Sequence, residues 1–284
     1  MNRLFTLCLL LLGGSASIAQ HGTNSVHCGE VITVDTHDGS TTRYSLASPT
    51  HTSSQSKAIV LVLLVGGNGY LNLDDAGCPR SLKGNSLVRS IEHFRAAGFF
   101  TALFDAPSTH HGVDGLEGFR THAQHAEDLG KVIADIQART KAIAWLAGTS
   151  RGAISAVNAA SRLTGAAAPA GVVLTSPVTA GDSRARKAWV AQSVFDLKLE
   201  AITVPLLVVG HAADSCIRSP AKLNSNITAR TKSARKEIVL VTGGPGSAGV
   251  STTEACEGRS PHGFNGQEAE VAAGIARFVL GGKY

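Results

Sequence analysis

The chain has 284 residues, 43% of them hydrophobic and 17% charged, with a formal net charge of +5. That balance excludes a disordered chain, a collagen, a coiled coil, a multi-pass membrane protein and a disulfide-dense miniprotein. Aromatic residues make up only 5% and no long run of like charge occurs, so nucleic acid is not an expected partner.

Residues 1–19 come first. Arg3 gives a short positive start, residues 4–12 form an apolar stretch, and Ser17 and Ala19 place small residues ahead of Gln20. This is the pattern of a secretory signal peptide, so the mature chain is expected over residues 20–284 and its destination outside the cytoplasm, periplasmic or extracellular. As a helix the apolar stretch rises about 13 Å, against roughly 30 Å of hydrocarbon, and no membrane span is expected after its removal. Cys28, Cys78, Cys216 and Cys256 remain. An even number in an exported chain predicts disulfides, with three connectivities open.

Strand and helix patterns then alternate. Residues 30–36 and 41–47 flank His37-Asp38-Gly39-Ser40, where Asp-Gly marks a hairpin turn. Residues 58–65 (AIVLVLLV) are a continuous apolar run, as a strand covered on both faces requires. Residues 99–105, 142–147, 171–175, 206–209 and 237–242 repeat that type. Helical patterns lie at residues 86–97 with Gly98 as the stop, and at 122–139, 150–163, 184–199, 219–230 and 266–280. The alternation predicts an α/β fold: a mostly parallel central sheet of about eight strands with helices on both faces. No repeat or linker divides residues 20–284, which read as one domain.

Residues 141–152 are KAIAWLAGTSRG, so Gly148-Thr149-Ser150-Arg151-Gly152 fits G-x-S-x-G, a nucleophile elbow. A buried strand runs into it and a small-residue helix leaves it. A serine there takes a strained turn that lifts its Oγ above the sheet, and small neighbours let the backbone pass. Two other patterns carry less. Gly244-Pro245-Gly246-Ser247-Ala248-Gly249 fits G-x-G-x-x-G, but no helix opens there and Pro245 removes an N–H that a phosphate would use. His110, His111, His122 and His125 lack metal-ligand spacing.

With its strand–elbow–helix context, the chain resembles the α/β-hydrolase family over nearly all of its mature length. The resemblance implies that fold, with Ser150 as nucleophile. Asp214, in PLLVVGHAADSC, stands at the family's station for the acid, and His262, in SPHGF, at that of the base. Asp182, His211 and the pair His110-His111 are weaker competitors. The implied oxyanion hole takes one N–H from Arg151 and one from Gly67 or Asn68, in the loop Gly66-Gly67-Asn68-Gly69. In such a hydrolase the acid and base loops meet, which implies a Cys216–Cys256 bond and leaves Cys28 and Cys78 as the second pair.

Only about thirty residues separate the strands at 171–175 and 206–209, which implies little or no cap. Arg184, Arg186 and Lys187 in that segment are read as a solvated helix face, with attraction of an acidic substrate as the alternative. The implied activity is hydrolysis of small-molecule carboxylic esters through an acyl-enzyme, with thioesters and peptides as alternatives on the same fold. No cofactor and no metal are expected, and a monomer or homodimer is. The alternative of another class is a catalytically silent, hydrolase-like binding protein, which has no reason to keep all three residues.

Overall fold

The computed structural model describes residues 27–51, 57–246 and 249–284; the leader predicted at residues 1–19 lies outside them. The chain opens with the strands β1 (Glu30–Asp35), β2 (Thr41–Ala47) and β3 (Ile59–Leu64). Two short helices, α1 (Ser86–Arg89) and α2 (Ile91–Ala96), lead into β4 (Phe100–Phe104), and α3 (Ala123–Thr140) into β5 (Ile143–Thr149). Then come α4 (Gly152–Arg162), β6 (Gly171–Thr175), α5 (Ala188–Ala191) and β7 (Leu206–His211). The last elements are α6 (Asn224–Arg230), β8 (Lys236–Val241) and α7 (Glu268–Val279).

The eight strands form one sheet in the order β1-β2-β4-β3-β5-β6-β7-β8. Only β2 opposes its neighbours; every pairing from β4 to β8 is parallel. The β1–β2 hairpin turns through Asp38 and Gly39, both with positive φ (47° and 72°), and Ser40 N–H donates to His37 O at 2.8 Å. That is the geometry for which Asp-Gly is suited.

Period-two alternation explains why the central runs are apolar throughout. Val60, Val62 and Leu64 of β3 point to one face with α3 and α4, whose buried residues include Leu129, Ile133, Ile154 and Val157. Leu61 and Leu63 point to the other, beneath Phe94 of α2 and Val271 and Ile275 of α7. A strand with a helix layer on each side has no solvent face to make polar.

Three expectations need correction. The pattern at residues 86–97 is split at Ser90, where ψ reaches −2° and one N–H is shared between the Ser86 and Leu87 carbonyls. Its end is as expected: Gly98 turns left-handed, and Phe99 N–H reaches back to Phe94 O at 3.2 Å. Residues 184–199 form no continuous helix. Gln192 is extended; Asp196 Oδ2 then accepts Ser193 N–H at 2.6 Å and Ser193 Oγ accepts Phe195 N–H at 3.2 Å, restarting the chain as a separate 3-10 turn. Finally, β8 is not buried on both faces: it is the sheet edge, and Ile238 and Leu240 are about half exposed.

Cys28 is bonded to Cys78, tying the start of β1 to the loop after β3 across a sequence separation of 50. A loop of that length gives on the order of 4 kcal/mol of denatured-state entropy on the chain model. A Cys28→Ser/Cys78→Ser double variant is expected to keep the native far-UV spectrum and to lose about 2–4 kcal/mol of unfolding free energy in urea titration.

Candidate active site

The turn after β5 positions Ser150. Its φ is 52°, in the left-handed region that a non-glycine residue enters at a cost of roughly 1–3 kcal/mol. Three backbone hydrogen bonds hold it there. Ser150 N–H donates to Thr175 O at 2.9 Å, and Ser150 O accepts from Ala153 N at 3.1 Å and Val178 N at 3.3 Å. The motif glycines are required by packing: a Cβ on Gly148 would overlap the Gly152 carbonyl, and one on Gly152 would overlap the Leu64 carbonyl of β3. Helix α4 can therefore lie directly on the sheet with its N-terminus beneath the serine.

His262 lies in the 3-10 turn Pro261–Gly263. Its Nδ1 is 2.9 Å from Asp214 Oδ2, and the two side chains are only 3% and 1% exposed. Asp214 follows β7, and its Oδ1 accepts Cys216 N–H at 2.8 Å. A carboxylate at Nδ1 selects the tautomer that carries the proton there and leaves Nε2 as the basic atom. Nε2 is buried and has no hydrogen-bond partner among the described residues. Ser150 and His262 line the same cavity, of about 450 Å³, but their side chains are not hydrogen-bonded to each other. Such bonds are often long until a substrate closes the site.

Cys216 is bonded to Cys256, so the loop after β7 is joined covalently to the segment leading into His262. A ligand atom of each of Asp214, Cys216 and His262 lies within 4.8 Å of the others. A disulfide sulfur is not a thiolate donor, so this trio is an acid–base pair beside a cross-link rather than a metal site.

Gly66, Gly67 and Arg151 also line the cavity, with Gly66 so close that a Cβ on it would come within 2.9 Å of Ser150 Cβ. Gly67 has φ 61°. Asn68 does not line it. Its Nδ2 donates to the Gly112 and Val113 carbonyls at 3.1 and 3.0 Å, and its carbonyl accepts Leu116 N–H at 2.7 Å. The competitors are engaged elsewhere. His211 bonds Gly243 O and Gln267, His110 stacks on Phe119, His111 bonds Ala106 O, and Asp182 is exposed beside Arg184.

Several residues that hold this arrangement carry no local signal in the sequence. Ser176 (φ 40°) donates from Oγ to the His262 carbonyl at 2.8 Å, and Ser260 Oγ accepts His262 N–H at 3.1 Å. Arg89 of α1 donates to Gly258 O at 2.9 Å and Gly263 O at 2.7 Å, and pairs with Glu268 at 2.7 Å. Asp105, after β4, accepts the N–H groups of Leu71 and Leu73 at 2.6 and 3.1 Å, and burial raises its pKa. Arg120 is fully buried. It donates to Ser155 Oγ at 2.7 Å, Val65 O at 3.0 Å and Gly67 O at 3.4 Å, gripping the glycine loop by its carbonyls. Its partners are all neutral; desolvation, then the nearby Arg151 charge, work against its charged form and lower its pKa from the ordinary arginine value.

No protein-family model and no curated protein sequence matches this chain. Solved structures do. The chain is similar to an alpha-beta serine hydrolase homologue from Coxiella burnetii at 17% identity and TM-score 0.54, over 90% of this chain and 99% of that one. It is similar to a serine hydrolase without lid from Xanthomonas campestris at 15% identity and TM-score 0.52, over 84% and 91%. Dipeptidyl peptidase 4 of Porphyromonas gingivalis matches at 14% identity and TM-score 0.58, over 88% of this chain but 35% of that one. At such identities the likeness is one of fold, and the fold is that of the α/β-hydrolases.

Removing the Arg120 side chain would leave the Val65 and Gly67 carbonyls and Ser155 without their donor and open a cavity under the loop. Arg120→Ala is expected to lower the unfolding free energy by about 2–4 kcal/mol in urea titration. A change within about 0.5 kcal/mol would show that these bonds do not hold the loop.

Proposed function

We propose that the protein is a serine hydrolase that cleaves small-molecule carboxylic esters through an acyl-enzyme on Ser150. The observation that carries this reading is the buried His262–Asp214 pair, whose free Nε2 is enclosed in the same cavity as a serine strained into a left-handed turn. In the proposed reaction, Ser150 Oγ attacks the ester carbonyl while His262 Nε2 takes the hydroxyl proton. Asp214 holds the ring and stabilises its cationic form. The negative charge that develops on the carbonyl oxygen is received by the Arg151 N–H and a second N–H from the Gly66–Gly67 loop. The tetrahedral intermediate collapses, the C–O bond to the alcohol breaks, and His262 returns the proton to the leaving oxygen. Water then repeats the sequence on the acyl-enzyme, releasing the acid and restoring Ser150.

Esters are favoured over peptides by what surrounds the site. The segment between β6 and β7 holds only short turns and the four-residue α5, too little to build a cap that selects a peptide. Export fits the same picture: two disulfides are present, and no helix among the described residues is long and apolar enough to cross a membrane. We assign residues 1–19 as the leader and residues 20–284 as the hydrolase domain.

Ser150→Ala is expected to lower kcat/KM for p-nitrophenyl esters by at least about 1,000-fold while shifting Tm by no more than a few degrees. Asp214→Asn is expected to act mainly on kcat, by about 1,000- to 10,000-fold, because the ring then loses its proper tautomer. A fluorophosphonate probe should label the wild type at Ser150 and leave Ser150→Ala unlabelled. Esterase activity surviving in Ser150→Ala above a tenth of wild type would sink the assignment.

A further inference from the structure

Two guanidinium groups share the Ser150 cavity. Arg151 and Arg218 both line it, and neither has a carboxylate within ion-pair distance among the described residues. Arg151 lies over the Trp189 ring, 4.4 Å from its centroid, and makes no side-chain hydrogen bond to a described residue. Stacking uses the face of the guanidinium and leaves its in-plane N–H donors free. Arg218 is anchored through Nη2 alone, which donates to Trp189 O at 3.3 Å and Gln192 O at 3.0 Å.

The placement is costly in the free protein. Both side chains are partly withdrawn from water, and burial lowers the pKa of each; Arg218 also acts on Arg151 as a like charge. Glu117 and Asp182 offset this for Arg151 and Arg218, from beyond ion-pair distance. Glu257 is the one carboxylate on the described cavity wall, and it is exposed, so water screens it. Like charges held close together with unused donors match an anion, and the guanidinium fork fits a carboxylate in two parallel hydrogen bonds.

We propose that the substrate itself carries a carboxylate, which Arg151 and Arg218 receive beside the scissile ester. This rests on the hydrolase reading above and narrows it to anionic esters. The cation cluster at Arg184, Arg186 and Lys187 is not needed for it, since all three are exposed and none lines the cavity.

Matched pairs of esters test the proposal. On the acyl side, p-nitrophenyl hexanoate is compared with the mono-p-nitrophenyl ester of adipic acid; on the alcohol side, phenyl acetate with 4-carboxyphenyl acetate. Each rate is divided by its uncatalysed rate. In at least one pair the wild type is expected to favour the charged ester in kcat/KM by about 10-fold or more, an advantage that shrinks with added salt. Arg218→Gln is expected to bring that ratio close to one, and Arg218→Lys to keep part of it. Because the readout is a ratio within one protein, a general loss of activity in a variant does not imitate the effect. Neutral esters hydrolysed as fast as charged ones in both pairs, with Ser150→Ala inactive, would overturn the anionic substrate and leave the hydrolase standing. No Ser150-dependent hydrolysis of any of the four esters would overturn both.

Discussion

One backbone angle sets the terms for the rest of the molecule. Holding an L-serine at φ 52° requires the strand before it, the helix after it and the neighbouring strands to meet without side chains in between. Gly148 and Gly152 let α4 lie against β5 and the Leu64 carbonyl of β3, and Thr175 at the end of β6 accepts the serine's own N–H. The elbow is therefore secured by three adjacent parallel strands. Their order, β3-β5-β6, places it at the centre of the sheet, where nothing can shift without disturbing both helix layers.

The opposite partner is held by other means. His262 comes from a loop, which no ladder of strand hydrogen bonds rigidifies. Instead that loop is fastened piecemeal: Ser176 to its carbonyl, Ser260 to its N–H, Arg89 to two flanking carbonyls, and the Cys216–Cys256 bond just upstream. Precise positioning of a reacting group depends on such support, because a displacement of about 1 Å is enough to spoil attack. The glycine loop beside Ser150 is treated in the same way, gripped by Arg120 through the Val65 and Gly67 carbonyls.

The sheet was legible in the sequence because strands covered on both faces must be apolar without interruption. That rule marks β3, β5, β6 and β7, and it misplaces β8, whose composition is similar although it stands at the edge. Edge position belongs to the sheet order, not to the local residues. Residues 184–199 look helical by their apolar spacing, but Ser193 and Asp196 satisfy the backbone locally and break the run. Ser150 could be singled out by its elbow motif, and Asp214 and His262 because the resemblance to the α/β-hydrolases gives the acid and the base a station after later strands. Arg89, Arg120 and Ser176 could not. Arg89 meets Gly263 across 174 residues and Ser176 meets His262 across 86, and no pattern within a window of sequence encodes such a meeting. That Arg151 and Arg218 have no carboxylate partner among the described residues was equally hidden, since such a lack is visible only once every neighbour is in place.

Two tyrosines tie the fold to alkaline pH. Tyr44 of β2 is buried and Tyr284, after α7, is half-buried; desolvation raises the pKa of Tyr44, and raises that of Tyr284 to about 12, so both keep their protons in the native state after the unfolded chain has lost them. Their contribution is present below about pH 10 and fades above it. Arg120 stands outside this balance. Burial and the nearby Arg151 charge disfavour its cationic form, yet a guanidinium keeps its proton across the range in which phenols titrate. Base therefore removes the phenols' share of the stability while leaving the grip of Arg120 on the glycine loop intact.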